Sequence, residues 1–233
     1  MLSVFISGFE SQTGKTIVTA GLAATMQSLS YSTNVYKPIC MNSESVSWLE
    51  FIKKVDSNIS TEVSYVLKSN LSPFVGAYEE GLNIDVNTIF STYQACAQIK
   101  DCNLIEGTNC ISTPVARNMT EIEIVKMLKL PLVMVVNPKK TSIDKVISGL
   151  RYIQSERVEF LGVIINCFDE NSENLEEKYF AEILKEFTDV KILGYLPDYG
   201  DISTLAPETL IADVLNNIDI EKVFGLKIAK LNA

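Results

Sequence analysis

The chain is predicted to fold as an α/β protein, with a mostly parallel β-sheet covered by helices on both faces. Three observations predict it. Residues 132–136 (Leu-Val-Met-Val-Val) and 160–165 (Phe-Leu-Gly-Val-Ile-Ile) are almost wholly apolar, as strands are when both faces are covered. Apolar runs of this kind alternate with segments of helical period, the order of βαβ units. The first such run, residues 2–7, passes through a glycine-bounded loop into a helix.

The elements follow in order. A strand over 2–7 leads to a helix over 15–29, and Asn34 to Lys37 read as the second strand. Pro38 biases Lys37 toward extended backbone, so the chain is expected to leave the sheet there. Val46, Trp48, Leu49, Phe51 and Ile52 give 42–55 a helical stripe. Residues 56–82, rich in Ser and Asn with Pro73, are expected to hold a short helix and loops. A helix over 85–99 has Asp85 as its N-cap. A short strand over 102–105, a helix over 121–128 and the apolar strand 132–136 follow. Then come a helix over 142–154, the strand 160–165, an amphipathic helix over 175–187, a strand over 191–196 and a last helix over 207–215. No repeat or linker divides the 233 residues, so one nucleotide-binding domain over 1–233 is expected.

The loop carries the chemistry. Gly8 and Gly14 enclose Phe9, Glu10, Ser11, Gln12 and Thr13, and Lys15, Thr16 and Ile17 open the helix. A loop entering a helix start aims unpaired amides at one point, where the helix dipole favours an anion. Lys15 adds a point charge for terminal phosphates, and the Thr16 hydroxyl suits Mg²⁺. The common phosphate loop has four residues between its glycines; this one has five. A related loop in cargo-sorting and cell-division ATPases has a lysine where this chain has Glu10. In open parallel sheets ligands bind beyond the carboxyl ends of strands, and Lys37, Glu106, Asn137 and Asn166 each stand just past a predicted strand end. Glu106 ends a buried strand, where an unpaired carboxylate is costly and a bound Mg²⁺ would relieve it; capping of the next turn is the structural alternative.

Composition excludes other chemistries. The chain has no histidine, which removes Ser-His-Asp triads and histidine bases. Phosphoryl transfer needs positioning and charge neutralisation more than proton shuttling, and remains open. A net charge of −9 argues against a nucleic-acid partner, and no run approaches a membrane span. Five cysteines without a Cys-x-x-Cys pair, and no leader pattern at the start, lead to an expected cytoplasmic location. Cys40 and Cys110 fall near the site motifs.

Gly8 to Thr16, followed by Tyr36-Lys37-Pro38-Ile39, resembles the dethiobiotin synthetase family, of the P-loop NTPase superfamily. That family opens with Gly-Thr-Asp-Thr-Glu-Val-Gly-Lys-Thr and has Tyr-Lys-Pro-Val near the end of its second strand. Ser72-Pro73 with Glu80-Gly81, Leu104-Ile105-Glu106-Gly107, Val163 to Asn166 and Leu193 to Pro197 resemble further family segments, in order along nearly the whole chain. The resemblance implies a three-layer fold with ATP and Mg²⁺ as cofactors. It implies that Gly8 and the loop residues Glu10 to Ile17 hold phosphates, that Asn166 and Pro197 hold adenine, and that Thr16, Glu106 and Glu44 hold the metal. Lys15, Lys37 and Thr16 would be catalytic; Lys37, Ser11, Gly107 and Thr108 would touch substrate. The implied reaction joins 7,8-diaminononanoate and CO2 into a ureido ring, through a carbamic–phosphoric anhydride. A homodimer is implied, with the helix starting at Thr141-Ser142 completing a neighbour's site; ordinary capping is the alternative there.

The sequence departs from the family on the substrate side. Glu106-Gly107 is followed by Thr108-Asn109-Cys110 where the family has Ala-Gly-Gly, and Cys40-Met41 stand where it has small hydroxyl residues. Two further readings therefore stay open. One is a nucleotide-binding regulatory module resembling the phosphate acetyltransferase N-terminal region. The other is another carboxylate-activating ligase of the superfamily, such as a cobyrinate amide synthase, although no glutaminase segment is present.

Overall fold

The computed structural model describes residues 2–227, without the side chains of residues 42–45. The chain runs β1 (Leu2–Gly8), α1 (Lys15–Ser28), β2 (Thr33–Met41), α2 (Asn42–Val55), β3 (Ser60–Leu67), α3 (Pro73–Glu79), α4 (Val86–Ile99) and β4 (Cys102–Glu106). It continues through the small hairpin β5 (Pro114–Ala116) and β6 (Met119–Thr120) to α5 (Glu121–Leu128), β7 (Leu132–Val136), α6 (Ile143–Glu156) and β8 (Phe160–Ile165). It closes with α7 (Leu175–Lys178), α8 (Phe180–Phe187), β9 (Ile192–Tyr195), α9 (Pro207–Asn217) and α10 (Ile220–Phe224).

Seven strands form one parallel sheet in the order β3-β2-β4-β1-β7-β8-β9. The alternation of side chains along each strand sorts the core into two layers. Val4 and Ile6 of β1 pack with α1, α2, α9 and α10 on one face; Phe5 packs with α4, α5, α6 and α8 on the other. Every residue of β2, β4 and β7 is buried; β7 reads as an unbroken apolar run for that reason, while β2 and β4 also bury Asn34, Lys37, Asn103 and Glu106. β1 lies between β4 and β7, so the chain fills the sheet first on one side of β1 and then on the other. That reversal opens a crevice at the carboxyl ends of the central strands. No helix among the described residues is long and apolar enough to cross a membrane.

Four details differ from expectation. β2 does not leave the sheet at Pro38: it pairs with β3 as far as Met41↔Leu67. Its pairing with β4 ends at Tyr36↔Ile105, so Pro38 lies along an open edge, where a missing N–H breaks no ladder. β3 itself was unforeseen, because this half-solvated edge strand mixes Ser, Thr and Glu with its apolar residues; Tyr36 Oη and Ser64 Oγ, 2.7 Å apart, tie it to β2. The helix expected over 175–187 breaks at Tyr179, whose backbone (φ −92°, ψ 8°) leaves helical values. A short helix, α10, follows α9. Asp85 caps α4 as expected, accepting from the Asn87 amide.

Candidate functional site

The glycine loop is pinned from three sides. Gly14 precedes α1 at φ 87°, a left-handed conformation natural to glycine, and a Cβ there would lie 1.9 Å from Asn166 Nδ2. Asn166, just beyond β8, donates from Nδ2 to the Thr13 carbonyl (3.0 Å). Phe9 lies on Gly149 of α6, where a Cβ would stand 2.5 Å from its ring. Lys145 donates to Glu10 Oε1 at 2.9 Å, so the Glu10 carboxylate faces α6. With the loop so fixed, α1 begins with no side-chain cap and no acid in its first turn. Its first amides need an external acceptor. Thr13 Oγ1 and Asn166 Oδ1 are also buried without hydrogen-bond partners. These unmet groups suit a polyanion with an amino-bearing base.

Two ammonium groups and a carboxylate meet beside the loop. Lys15 Nζ donates to the Asn109 carbonyl (2.6 Å) and, at longer range, to that of Glu10 (3.4 Å). Thr16 Oγ1 and Lys37 Nζ both donate to Glu106 Oε1, each at 2.9 Å, and Trp48 Nε1 donates to Oε2 at 3.0 Å. The Lys37 and Glu106 side chains are 3% and 1% exposed. The cost of burying Glu106 is met within the protein by three donors, one of them the buried Lys37 ammonium. The Trp48 ring stands 5.8 Å from the Lys37 ammonium. Thr16 and Glu106 offer hard oxygen donors side by side, and Mg²⁺ commonly takes only one or two protein oxygens together with substrate phosphates. Among the described residues no cluster of three acidic, Cys or His groups exists that would hold a metal without such phosphates.

A second buried carboxylate escaped the sequence reading. Glu121, at the start of α5, accepts from the Ser7 hydroxyl and from the Thr108 amide (2.6 Å). Burial pushes its carboxyl above the usual range, against the pull of the Ser7 hydroxyl and the Lys15 charge. Thr120 and Glu123 form the capping box of α5, which leaves Glu121 no local capping duty; that was the available signal. The Thr108 hydroxyl donates to the Ile39 carbonyl (2.8 Å), tying the 107–109 loop to β2.

The two lysines, Glu106 and the Thr108 segment line a cavity of about 300 Å³. It gathers Gln12, Gly14, Lys15, Thr16 and Ile17 with Lys37, Trp48, Phe51, Glu106, Thr108 and Asn109. Gly8 and Thr13 lie buried beneath it, and Ser11 is exposed outside it. Gly107 rests on Glu121. Pro197 is exposed in a separate depression with Phe168 and Tyr195. The Glu44 side chain lies outside the described residues. Cys40 is buried in β2, and Cys110 is half-buried beside Ser112. Ser142 stands at the N-cap of α6 without a side-chain capping bond, and the Thr141 hydroxyl is buried without a partner. A larger groove of about 470 Å³ opens near the start of β8, the far end of the strands from the loop.

A family model described as an AAA domain matches residues 3–221. The chain belongs to that family. It is similar along its length to proteins named ATP-dependent dethiobiotin synthetase, as its motifs suggest. That of Bacillus subtilis strain 168 is 23% identical over 222 residues, covering 93% of this chain and 96% of the relative. That of Nitrosopumilus maritimus is 26% identical over 231 residues, covering 96% and 99%. Among solved structures, the MinC:MinD cell division complex of Aquifex aeolicus has a chain that superposes with TM-score 0.59 at 15% identity, covering 98% of both chains. The Pyrococcus horikoshii MinD complexed with Mg-ADP gives 0.57 at 13% identity, covering 95% and 93%. At these identities the structures establish a shared fold.

Proposed function

We propose that the protein is an ATP-dependent dethiobiotin synthetase, closing a ureido ring on 7,8-diaminononanoate with CO2. One observation carries the reading: Lys37 and Thr16 converge on one oxygen of Glu106, beside Lys15 at an uncapped helix start. The loop amides and Lys15 hold the terminal phosphates of ATP. The unpartnered acceptor Asn166 Oδ1 fits the amino group of adenine and would repel the carbonyl of guanine. Thr16 and Glu106 would hold Mg²⁺, which neutralises phosphate charge when bound.

CO2 adds to one amine of the acceptor to give a carbamate. A carbamate oxygen attacks the γ-phosphorus, and the bond to ADP breaks. The second amine then attacks the carbamoyl carbon, loses a proton, and expels phosphate with the former carbamate oxygen. Glu106 and the Trp48 ring orient the Lys37 ammonium, which stabilises the charge that builds on the transferring phosphoryl group. Trp48 and Phe51 give the cavity an apolar wall that limits water. The Gly107–Thr108 segment flanks the acceptor, and Ser11 stands outside the cavity. Five free thiols support a reducing, cytoplasmic setting, and a homodimer would bring α6 of one copy to its neighbour.

Phosphate release from Mg-ATP, measured with and without the diamine and bicarbonate, tests the reading. Stimulation of about tenfold or more is expected, since binding energy of the true acceptor is realised in the transition state. Tight nucleotide binding without stimulation would overturn it in favour of a nucleotide-binding module.

A further inference from the structure

Glu121 has no part in the reaction above, yet it and Glu106 are the buried carboxylates among the described residues. Its surroundings show what it does. One oxygen takes the Ser7 hydroxyl from β1, and the other takes the Thr108 amide at 2.6 Å. Gly107 comes down so closely that a Cβ there would lie 2.2 Å from Glu121 Oε1. The Thr108 hydroxyl holds the same backbone to Ile39. The next residue, Asn109, presents its carbonyl to Lys15 Nζ at 2.6 Å. A continuous line of contacts thus runs from β1 through Glu121 and the 107–109 backbone to the Lys15 ammonium.

We propose that Glu121 is a positioning residue: it fixes the height of the 107–109 backbone, and through it the seat of Lys15 and the acceptor-side wall of the cavity. The bulkier Thr108-Asn109 segment makes such an anchor useful, because it has side chains to keep out of the acceptor's path. The role is one of shape. A glutamine would keep an oxygen for the Thr108 amide, and its NH2 would donate to Ser7, whose hydroxyl rotates to accept. An alanine leaves the Thr108 N–H buried without an acceptor.

The kinetic part of the test rests on the synthetase reading; the structural part does not. Amide hydrogen exchange is followed at residues 107–110 in the wild type, Glu121→Gln and Glu121→Ala, alongside acceptor-stimulated phosphate release and melting temperature. In Glu121→Ala, exchange at Thr108 and Asn109 is expected to accelerate about tenfold or more, the scale of one lost buried hydrogen bond, with other segments unchanged. Its stimulated kcat/KM should fall by about tenfold or more, since small misplacements at a reacting site are costly. Glu121→Gln should stay within about threefold of wild type on both readouts. Unchanged exchange in the alanine variant overturns the proposal, and so does a glutamine variant as impaired as alanine. Should the alanine variant fail to fold, Ser7→Ala takes its place: local acceleration at 107–110 supports the anchor, and none overturns it. A wild type without acceptor stimulation sinks the synthetase reading alone, and exchange then decides the role of Glu121.

Discussion

The phosphate rim and the acceptor rim of the cavity keep their shapes by different means. The phosphate rim of the proposed site is a short stretch of consecutive backbone, Gly8 to Thr16, with a left-handed Gly14 at the start of α1. The acceptor rim, 107–109, is held from afar, by Glu121 fourteen residues beyond Gly107 and by Ile39 on another strand. A locally encoded rim tolerates change around it but not within it. A remotely anchored rim has the opposite weakness, so acceptor preference can change through residues that never touch the acceptor.

Substitutions can break or sharpen this contrast. The largest effect is expected at the groups between the rims. Lys37→Ala should lower turnover by about 10²–10³-fold, the scale of losing a preorganised charge at a transition state, while Mg-ATP affinity stays near normal. It should also lower the melting temperature, because Glu106 loses its buried counter-charge. Steady-state kinetics with calorimetric titration checks both; normal turnover would remove Lys37 from the mechanism.

Gly14→Ala attacks the phosphate rim from within. The left-handed conformation costs an alanine about 1–2 kcal/mol, and the new Cβ must displace Asn166. A loss of about tenfold or more in Mg-ADP affinity, read by titration calorimetry, follows from that cost. Gly107→Ala makes the matching change on the other rim, where the nearest atoms to a new Cβ are those of the Glu121 carboxylate. Its effect should be smaller, about fivefold on stimulated kcat/KM, and should shrink when Glu121→Ala is present, with a coupling of about 0.5–1 kcal/mol in a double-mutant cycle. Additive effects would mean that the two residues act separately.

The smallest effect belongs to Lys145→Ala. Its pair with Glu10 is solvent-facing, with side chains 55% and 33% exposed. Such pairs contribute about 0–1 kcal/mol, so both melting temperature and nucleotide affinity should barely move. A large loss would show that α6 supports the loop by charge as well as by the Phe9–Gly149 contact.

The phosphate rim was legible in the sequence because its physics is local: glycine spacing, a helix start, and Lys15 beside Thr16. Glu106 was legible as a strand-end residue; Lys37 was legible by its place before Pro38, although β2 runs on past it to Met41. Their contact with each other was not, because β2 and β4 are neighbours only once the sheet order is known. Glu121 was hidden by its setting. In Thr120-Glu121-Ile122-Glu123 it reads as one more first-turn acid, favoured by the helix dipole, and only the fold turns it inward. Trp48 likewise reads as part of the apolar stripe of α2; its indole donor finds a partner only across the cavity. β3 was lost to the Ser, Thr and Glu that this edge strand mixes with its apolar residues.

The bond from Trp48 to Glu106 has a practical side. Trp48 is the chain's one tryptophan, and its indole is wired to a carboxylate at the centre of the cavity. Excited beyond the absorption of its nine tyrosines, the unlabelled protein therefore emits ultraviolet light from a single origin. Any cation or phosphate that draws Glu106 away from the indole changes that glow, and the molecule carries its own optical gauge of occupancy.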